Sequence, residues 1–130
     1  MKSKLLLATI VLGAAAPASA HARTDDVTVT YQCSDLVVIG RFQNLEYEHV
    51  DLEDDILGHG WVTARVTVRR VLAGRPEARV VPVRYFAHSY FRRDRDFMLV
   101  IQRAGTAGNL IRSAHMMTGG RRPRLARTCG

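Results

Sequence analysis

The sequence is poor in the residues that build the most recognisable functional sites. It holds two cysteines in 130 residues and no C-x-x-C pair, so a cysteine zinc site has no basis. No G-x-S-x-G element presents a nucleophilic serine, and His88-Ser89 alone does not make a hydrolase triad. The carboxylates lack a spacing that would pair them around a nuclease metal. These absences argue against an enzyme and predict no cofactor.

Lysine is absent after residue 4, and the first 20 residues have the composition of a secretory signal peptide. Lys2 and Lys4 give a basic start, residues 5–16 carry no charge, and residues 18–20 are a small-x-small end. A membrane anchor is the alternative, but the apolar run is shorter than the roughly 20 residues that span a bilayer. We predict cleavage after Ala20, a periplasmic or secreted product, and no membrane span in that product.

The predicted product, residues 21–130, has the length of one domain and a positive charge. It contains 17 arginines and 12 acidic residues, so its net charge is about +5. This charge permits association with anionic polymers or membrane headgroups without specifying either. Nucleic acid is not an expected native ligand of an exported protein.

The two cysteines predict one disulfide, because an even count in an exported chain usually means pairing. Cys33 lies near the start of the predicted product, and Cys129 lies one residue from its end. Their bond would close almost the whole domain into a loop, which the chain-entropy treatment values at about 4–5 kcal/mol. Two free thiols are the alternative.

The clearest structural pattern runs over residues 61–86 and predicts a β-hairpin. Between residues 62 and 68, Val and Ala alternate with Thr and Arg, as expected for a strand with one buried face. Gly74 lies in the break that follows, and residues 80–86 alternate again. Pro82 in the second strand predicts an unpaired edge or a bulge nearby. The loop between the strands has about six residues.

Together with the other segments, the hairpin predicts an all-β fold with four or five strands and no long helix. A strand is predicted at residues 35–43, with Gly40 marking a bulge or tight bend. Residues 97–101 form another buried strand, and residues 110–112 a short one. From residue 118 the chain is rich in Gly and Arg, and we predict a loop or tail held by Cys129. The fold class is therefore a small antiparallel β-barrel, in which closure removes exposed edges.

An acidic segment lies between the first two predicted strands. Clustered carboxylates suit a divalent cation, but the spacing does not match an EF-hand. The alternative, which we favour, is a solvated loop that pairs with the arginines opposite. Its acidic residues are Glu46, Glu48, Asp51, Glu53, Asp54 and Asp55.

Four segments together resemble the netrin-like, or tissue-inhibitor-of-metalloproteinase-like, OB-fold domains, which include bacterial members. They are residues 37–42 (VVIGRF), 64–74 (ARVTVRRVLAG), 81–85 (VPVRY) and 97–100 (FMLV). The resemblance covers residues 33–101 and implies an OB-type barrel that serves as a secreted binding module. Inhibitors of this family chelate zinc through an N-terminal cysteine. The predicted product begins instead at His21, so that mechanism is not expected here.

The hairpin predicts a binding face on the side of the strands opposite the valines. Arginines on this face form a basic stripe with an aromatic residue at one end, and the connection after the hairpin extends the stripe. The alternative is that these arginines are ordinary solvated positions. We expect a non-catalytic binding or protein-interaction module whose ligand the sequence does not identify, with an unknown envelope protein as the first candidate partner. The alternative is an anionic polymer, and a secreted hydrolase or protease inhibitor ranks below both. The predicted binding residues are Trp61, Arg65, Arg69, Arg84, Tyr90 and Arg92.

Overall fold

The computed structural model describes residues 27–119 and 121–129, so the predicted signal peptide lies outside the described residues. Within them the chain forms seven strands and one 3-10 turn, as the all-β prediction requires. No helix in this part of the chain has the length and apolarity to cross a membrane. In chain order the elements are β1 (Thr28–Tyr31), β2 (Leu36–Val50), β3 (His59–Ala73), β4 (Val80–Ala87), β5 (Phe97–Arg103), the 3-10 turn (Gly105–Ala107), β6 (Asn109–Met116) and β7 (Arg124–Arg127).

Five of the strands close into a barrel in the order β2-β3-β4-β6-β5, with β5 paired back onto β2. All neighbouring pairs are antiparallel except β4 and β6, which pair in parallel where Arg84 meets Leu110. A closed ring with an odd number of strands cannot alternate direction throughout, so one parallel seam is unavoidable. This five-stranded closed barrel is of the OB type, and the predicted fold class is confirmed.

The predicted hairpin is the pair β3 and β4, joined by the six residues 74–79. Val62 and Val66 of β3 are fully buried, and so is nearly all of Tyr85 on β4. The two-residue periodicity of apolar side chains therefore identifies the inward face of the hairpin correctly. Pro82 lies at an open edge, as predicted: β4 meets β6 only near Arg84, and the Pro82 carbonyl accepts a hydrogen bond from Asn109 Nδ2 at 3.0 Å.

Gly40 marks the predicted bulge in β2. The pairing register with β3 shifts between Ile39 and Gly40. A Cβ atom at Gly40 would lie 2.5 Å from Val66 Cγ1 and 2.9 Å from the Thr67 carbonyl oxygen, so only glycine fits without displacement. Because β2 pairs with β5 only up to this residue, the bend lets its second half leave β5 and continue alongside β3.

The predicted end of the first strand, at residue 43, is wrong. β2 continues to Val50, so Glu46 and Glu48 lie on a strand paired with β3 and not in a loop. The second half of β2 is largely exposed, and a strand with little buried surface has the polar composition of a loop. The connection between β2 and β3 comprises only residues 51–58.

The prediction of a patternless C-terminal tail is also wrong. β7 pairs in parallel with β1 over four residues, and Pro123 just before it is fully buried. Likewise, β6 is longer than the predicted strand at residues 110–112. The β1–β7 sheet covers a second apolar cluster on the outside of the barrel. That cluster consists of Val29, Val37, Met98 and Val100, with Leu125 packed against it.

The predicted disulfide is present between Cys33 and Cys129, whose Cα atoms are 5.3 Å apart. The alternative of two free thiols is therefore excluded in this structure. The bond joins the chain just after β1 to the chain just after β7. It closes the small sheet at the end where both strands leave it.

Candidate interaction face

The outer face of β3 and β4 carries a ladder of aromatic rings. Trp61 lies opposite Phe86 in the pairing register, and their ring centroids are 5.3 Å apart. His59 stacks on the other side of the group, 5.5 Å from Phe86 with the two planes inclined by 15°. We call His59, Phe86 and Trp61 the aromatic ladder. These side chains point away from the barrel core, because their neighbours in the alternation fill it.

One end of the ladder is extended by a cation. The Arg84 guanidinium carbon lies 4.9 Å from the centroid of the Trp61 ring, which is a cation–π contact. Glu48 Oε2 is 4.0 Å from an Arg84 nitrogen, at the limit of an ion pair. Arg84 is therefore held on the face by a ring and only weakly neutralised.

The other end of the ladder is fixed by Asp55. Its carboxylate accepts hydrogen bonds from the backbone N–H of Gly58 at 3.1 Å and of His59 at 2.7 Å, and it lies 2.8 Å from His59 Nδ1. Burial acts to raise the pKa of Asp55. The hydrogen bonds and charge of His59 outweigh this and hold that pKa below its ordinary value. His88 adds a further ring, edge-on to His59 at 5.5 Å.

The loop before His59 presents apolar side chains to solvent. Ile56 is 98% exposed and Leu57 is 72% exposed, while Leu52 is half-exposed. We call these three residues the apolar loop tip. Asp54 in the same loop has a φ of 64°, a conformation that non-glycine residues seldom adopt. Large apolar side chains grouped at the surface are typical of interaction sites.

The arginines of the predicted basic stripe have different surroundings in the structure. Arg84 does lie beside Trp61, and Arg65 is exposed on the same face of β3. Arg69 instead pairs with Asp96, at 3.3 Å, where Arg41 also binds at 2.9 Å. Within residues 27–119 and 121–129, Arg65 has no ion-pair partner. Of the three arginines only Arg65 therefore keeps its charge unopposed.

Tyr90 and Arg92 lie on the connection between β4 and β5, beside β2. They line a cleft of about 820 Å³ together with Gln43, Phe91 and Arg93, among others. Arg92 binds Asp94 through two hydrogen bonds of 2.9 and 2.7 Å, which lowers the pKa of Asp94 to about 2 and raises that of Arg92. This cleft is built from other elements than the aromatic ladder.

The acidic segment is distributed over different surroundings. Glu46 and Glu48 are on β2, Asp51 lies 3.1 Å from His49 Nε2, and Asp55 is committed to His59. In the part of the chain that the structure describes, no three His, Cys, Asp or Glu side chains are grouped to hold a metal ion.

The sequence contained a signal for two residues that the predicted site omits. Phe86 alternates with Arg84 on β4, and His59 alternates with Trp61 on β3, so both belong on the outer face by the same rule. Ile56 and Leu57 had no such signal, because they interrupt an acidic loop without any periodicity.

Comparisons of this chain with protein-family models, with curated proteins and with solved structures find no match.

Proposed function

We propose that this chain is an exported, non-catalytic protein-interaction module of the netrin-like OB type. Its binding surface is the aromatic ladder together with the apolar loop tip. The observation that carries the proposal is the exposure of Ile56 and Leu57 directly before the aromatic ladder, in which Phe86 contacts both His59 and Trp61. OB-type barrels bind their ligands with this same strand pair and the adjoining loop.

The chemistry of this surface favours a protein partner over a polymer. Aromatic residues and arginine are enriched at protein interfaces, and anchors of this kind fill apolar pockets. Asp51, Glu53 and Asp54 surround the loop tip and would repel an anionic polymer. The expected partner offers an apolar pocket with a basic rim.

Export rests on two observations. The Cys33–Cys129 bond is of a kind that forms and persists in oxidising compartments, and the first 20 residues have the composition of a signal peptide. We place the protein in the periplasm or outside the cell.

Retention of envelope proteins on the immobilised, oxidised protein tests the proposal. The test variant carries Ile56→Asp and Leu57→Asp, and the control carries Val71→Asp and Met116→Asp, which change two half-exposed apolar residues elsewhere. We expect a retained protein that resists physiological salt, is lost with the test variant and stays with the control. Equal retention by the two variants would contradict the proposal.

Binding of an anionic polymer is the second candidate, favoured by the unopposed charge of Arg65. Trp61 is the only tryptophan of the chain, so its fluorescence reports directly on this face. Polymer binding would change its emission with an anionic but not a neutral polysaccharide. The change would fall steeply with salt and vanish in Arg65→Glu. An unchanged emission with both polysaccharides would remove this candidate.

A further inference from the structure

The disulfide lies at the surface, at the end of the β1–β7 sheet. Cys33 and Cys129 are both exposed, and small openings lined by Gln32, Ser34 and Thr128 give access from solvent. A dissolved thiol can therefore approach the bond without unfolding the barrel. Among protein disulfides, exposed bonds are the more readily exchanged ones.

A guanidinium touches both sulfur atoms. Arg127 Nε donates to Cys33 Sγ at 3.1 Å and to Cys129 Sγ at 3.0 Å. The side chain is placed there because Arg127 pairs with Tyr31 in the β1–β7 register. Arg127 forms no ion pair with a carboxylate of the described residues. Its positive charge favours a thiolate on either sulfur.

The bond secures a part of the fold that is otherwise weakly attached. The β1–β7 sheet has four residue pairs and shares no strand pairing with the barrel within the described residues. A two-stranded sheet of this size is marginal by itself. It is held by the disulfide and by apolar contact with Val37, Met98 and Val100. Opening the bond removes the covalent part of that attachment.

We propose that Cys33–Cys129 is a thiol-exchange site in which Arg127 stabilises the leaving sulfur. A thiolate attacks one cysteine sulfur, so that a mixed disulfide forms, the Cys33–Cys129 bond breaks, and its electron pair goes to the other sulfur as a thiolate beside Arg127. A second thiol then displaces the first from the mixed disulfide. Two thiols are oxidised to one disulfide, and their two protons pass to the two cysteines.

Exchange has a structural consequence on the outer side of β2 and β5, which the β1–β7 sheet covers. Once the bond is open, β7 separates from β1, and the surface formed by Val37, Met98 and Val100 becomes accessible. The thiol-exchange site shares no residue with the aromatic ladder. The experiments below therefore test it independently of the proposed interaction face.

Reduction kinetics of the oxidised protein test the role of Arg127. The rate of reaction with glutathione is measured at neutral pH for the wild type, Arg127→Gln and Arg127→Lys. Arg124→Gln is the control, because it removes the same charge from the same exposed strand. We expect Arg127→Gln to react roughly three- to tenfold more slowly, with Arg127→Lys and the control near the wild-type rate. Equal rates for Arg127→Gln and Arg124→Gln would overturn the proposal.

Hydrogen exchange after reduction tests the structural consequence without any variant. We expect amides of β1 and β7 to lose protection while amides of β3 and β4 retain it. Unchanged protection in β1 and β7 would overturn the release of the sheet, and so would loss of protection throughout the barrel.

Discussion

Tyr85 connects β2 with the segment that follows β4. Its hydroxyl donates to Asn44 Oδ1 at 2.8 Å and accepts from the Phe91 N–H at 3.0 Å, and Asn44 Nδ2 donates to the Phe91 carbonyl at 2.9 Å. The ring packs against Phe42 and Phe91. This small network holds the connection between β4 and β5 against one end of the barrel. It also positions the cleft that contains Tyr90 and Arg92.

Tyr85→Phe should lower the free energy of unfolding by about 1–2 kcal/mol, because Asn44 and Phe91 each lose a partner in a partly buried place. Urea unfolding measures the effect. Tyr90→Phe is the matched control, since Tyr90 is exposed and its hydroxyl forms no hydrogen bond within the described residues. Equal losses from the two variants would contradict the network.

Ionisation of the Tyr85 hydroxyl should lower the free energy of unfolding in alkaline solution. Burial raises the pKa of Tyr85 above its ordinary 10.0, although the hydrogen bond from Phe91 acts in the opposite direction. When the pKa of a group is higher in the folded state than in the unfolded state, the group stabilises the fold at pH values below its unfolded-state pKa. This stabilisation is lost as the pH rises through the folded-state pKa. Between about pH 8 and about pH 11 the wild type should therefore lose more stability than Tyr85→Phe. Parallel pH profiles would contradict this.

Single residues could be predicted where alternation decides their side of a strand. Trp61 and Arg84 were placed on one outer face from the sequence, and they meet there. The same alternation places Arg69 on that face, but in the structure Arg69 forms an ion pair with Asp96. That partner lies 27 positions further along the chain, where local periodicity carries no information.

At the scale of elements, the turn after β3 depends on a close approach to the start of β2. Gly74 has a φ of 79°, and a Cβ atom there would lie 2.8 Å from the backbone oxygen of Asp35. Asp35 is itself buried, accepting from the Gln32 N–H at 2.7 Å and lying 3.4 Å from Arg112. The glycine thus allows the hairpin to pack against the turn that also carries Cys33.

Gly74→Ala should destabilise the protein by about 2–3 kcal/mol, because it adds a steric contact to the unfavourable φ. Gly105→Ala is the matched control: its φ is 56°, but no atom lies within 4 Å of the added Cβ. We expect it to cost about 1 kcal/mol from the backbone conformation alone. Thermal unfolding compares the two. A Gly105→Ala loss as large as that of Gly74→Ala would contradict the contact.

Elements were predicted well where one face is buried and poorly where it is not. The alternation along β3 and the apolar run of β5 each predict a strand that the structure contains. The second half of β2 is exposed and polar, so its sequence predicts a loop. β7 has too few apolar residues to indicate a strand, and it forms only because β1, some 96 positions earlier, provides a partner.

At the scale of the whole molecule, the disulfide ties the C-terminal strand to the start of the domain across 96 positions. Replacing both cysteines by serine should therefore lower the free energy of unfolding by about 4 kcal/mol, mainly by freeing the unfolded chain. Reduced wild-type protein should show the same loss in urea unfolding. A loss below about 1 kcal/mol would mean that β1 and β7 contribute little to the stability of the barrel.

The whole molecule also has two separate surfaces with different chemistry. The β3–β4 side carries the aromatic ladder and the apolar loop tip, whereas the outer side of β2 and β5 is covered by the β1–β7 sheet. The barrel between them keeps the first surface in place whether or not the disulfide is closed. Binding at the ladder is therefore expected to be independent of the redox state.

Photo-crosslinking in the cells that produce this protein is the most direct test of the interaction face. A photoreactive residue is placed at Phe86 in the ladder and, for comparison, at Met116, which is equally exposed at 42%. We expect an adduct of one defined mass from Phe86, none from Met116, and loss of the Phe86 adduct when Ile56→Asp is added. Absence of an adduct at Phe86, or the same adduct from both positions, would contradict the claim that the β3–β4 face binds a protein.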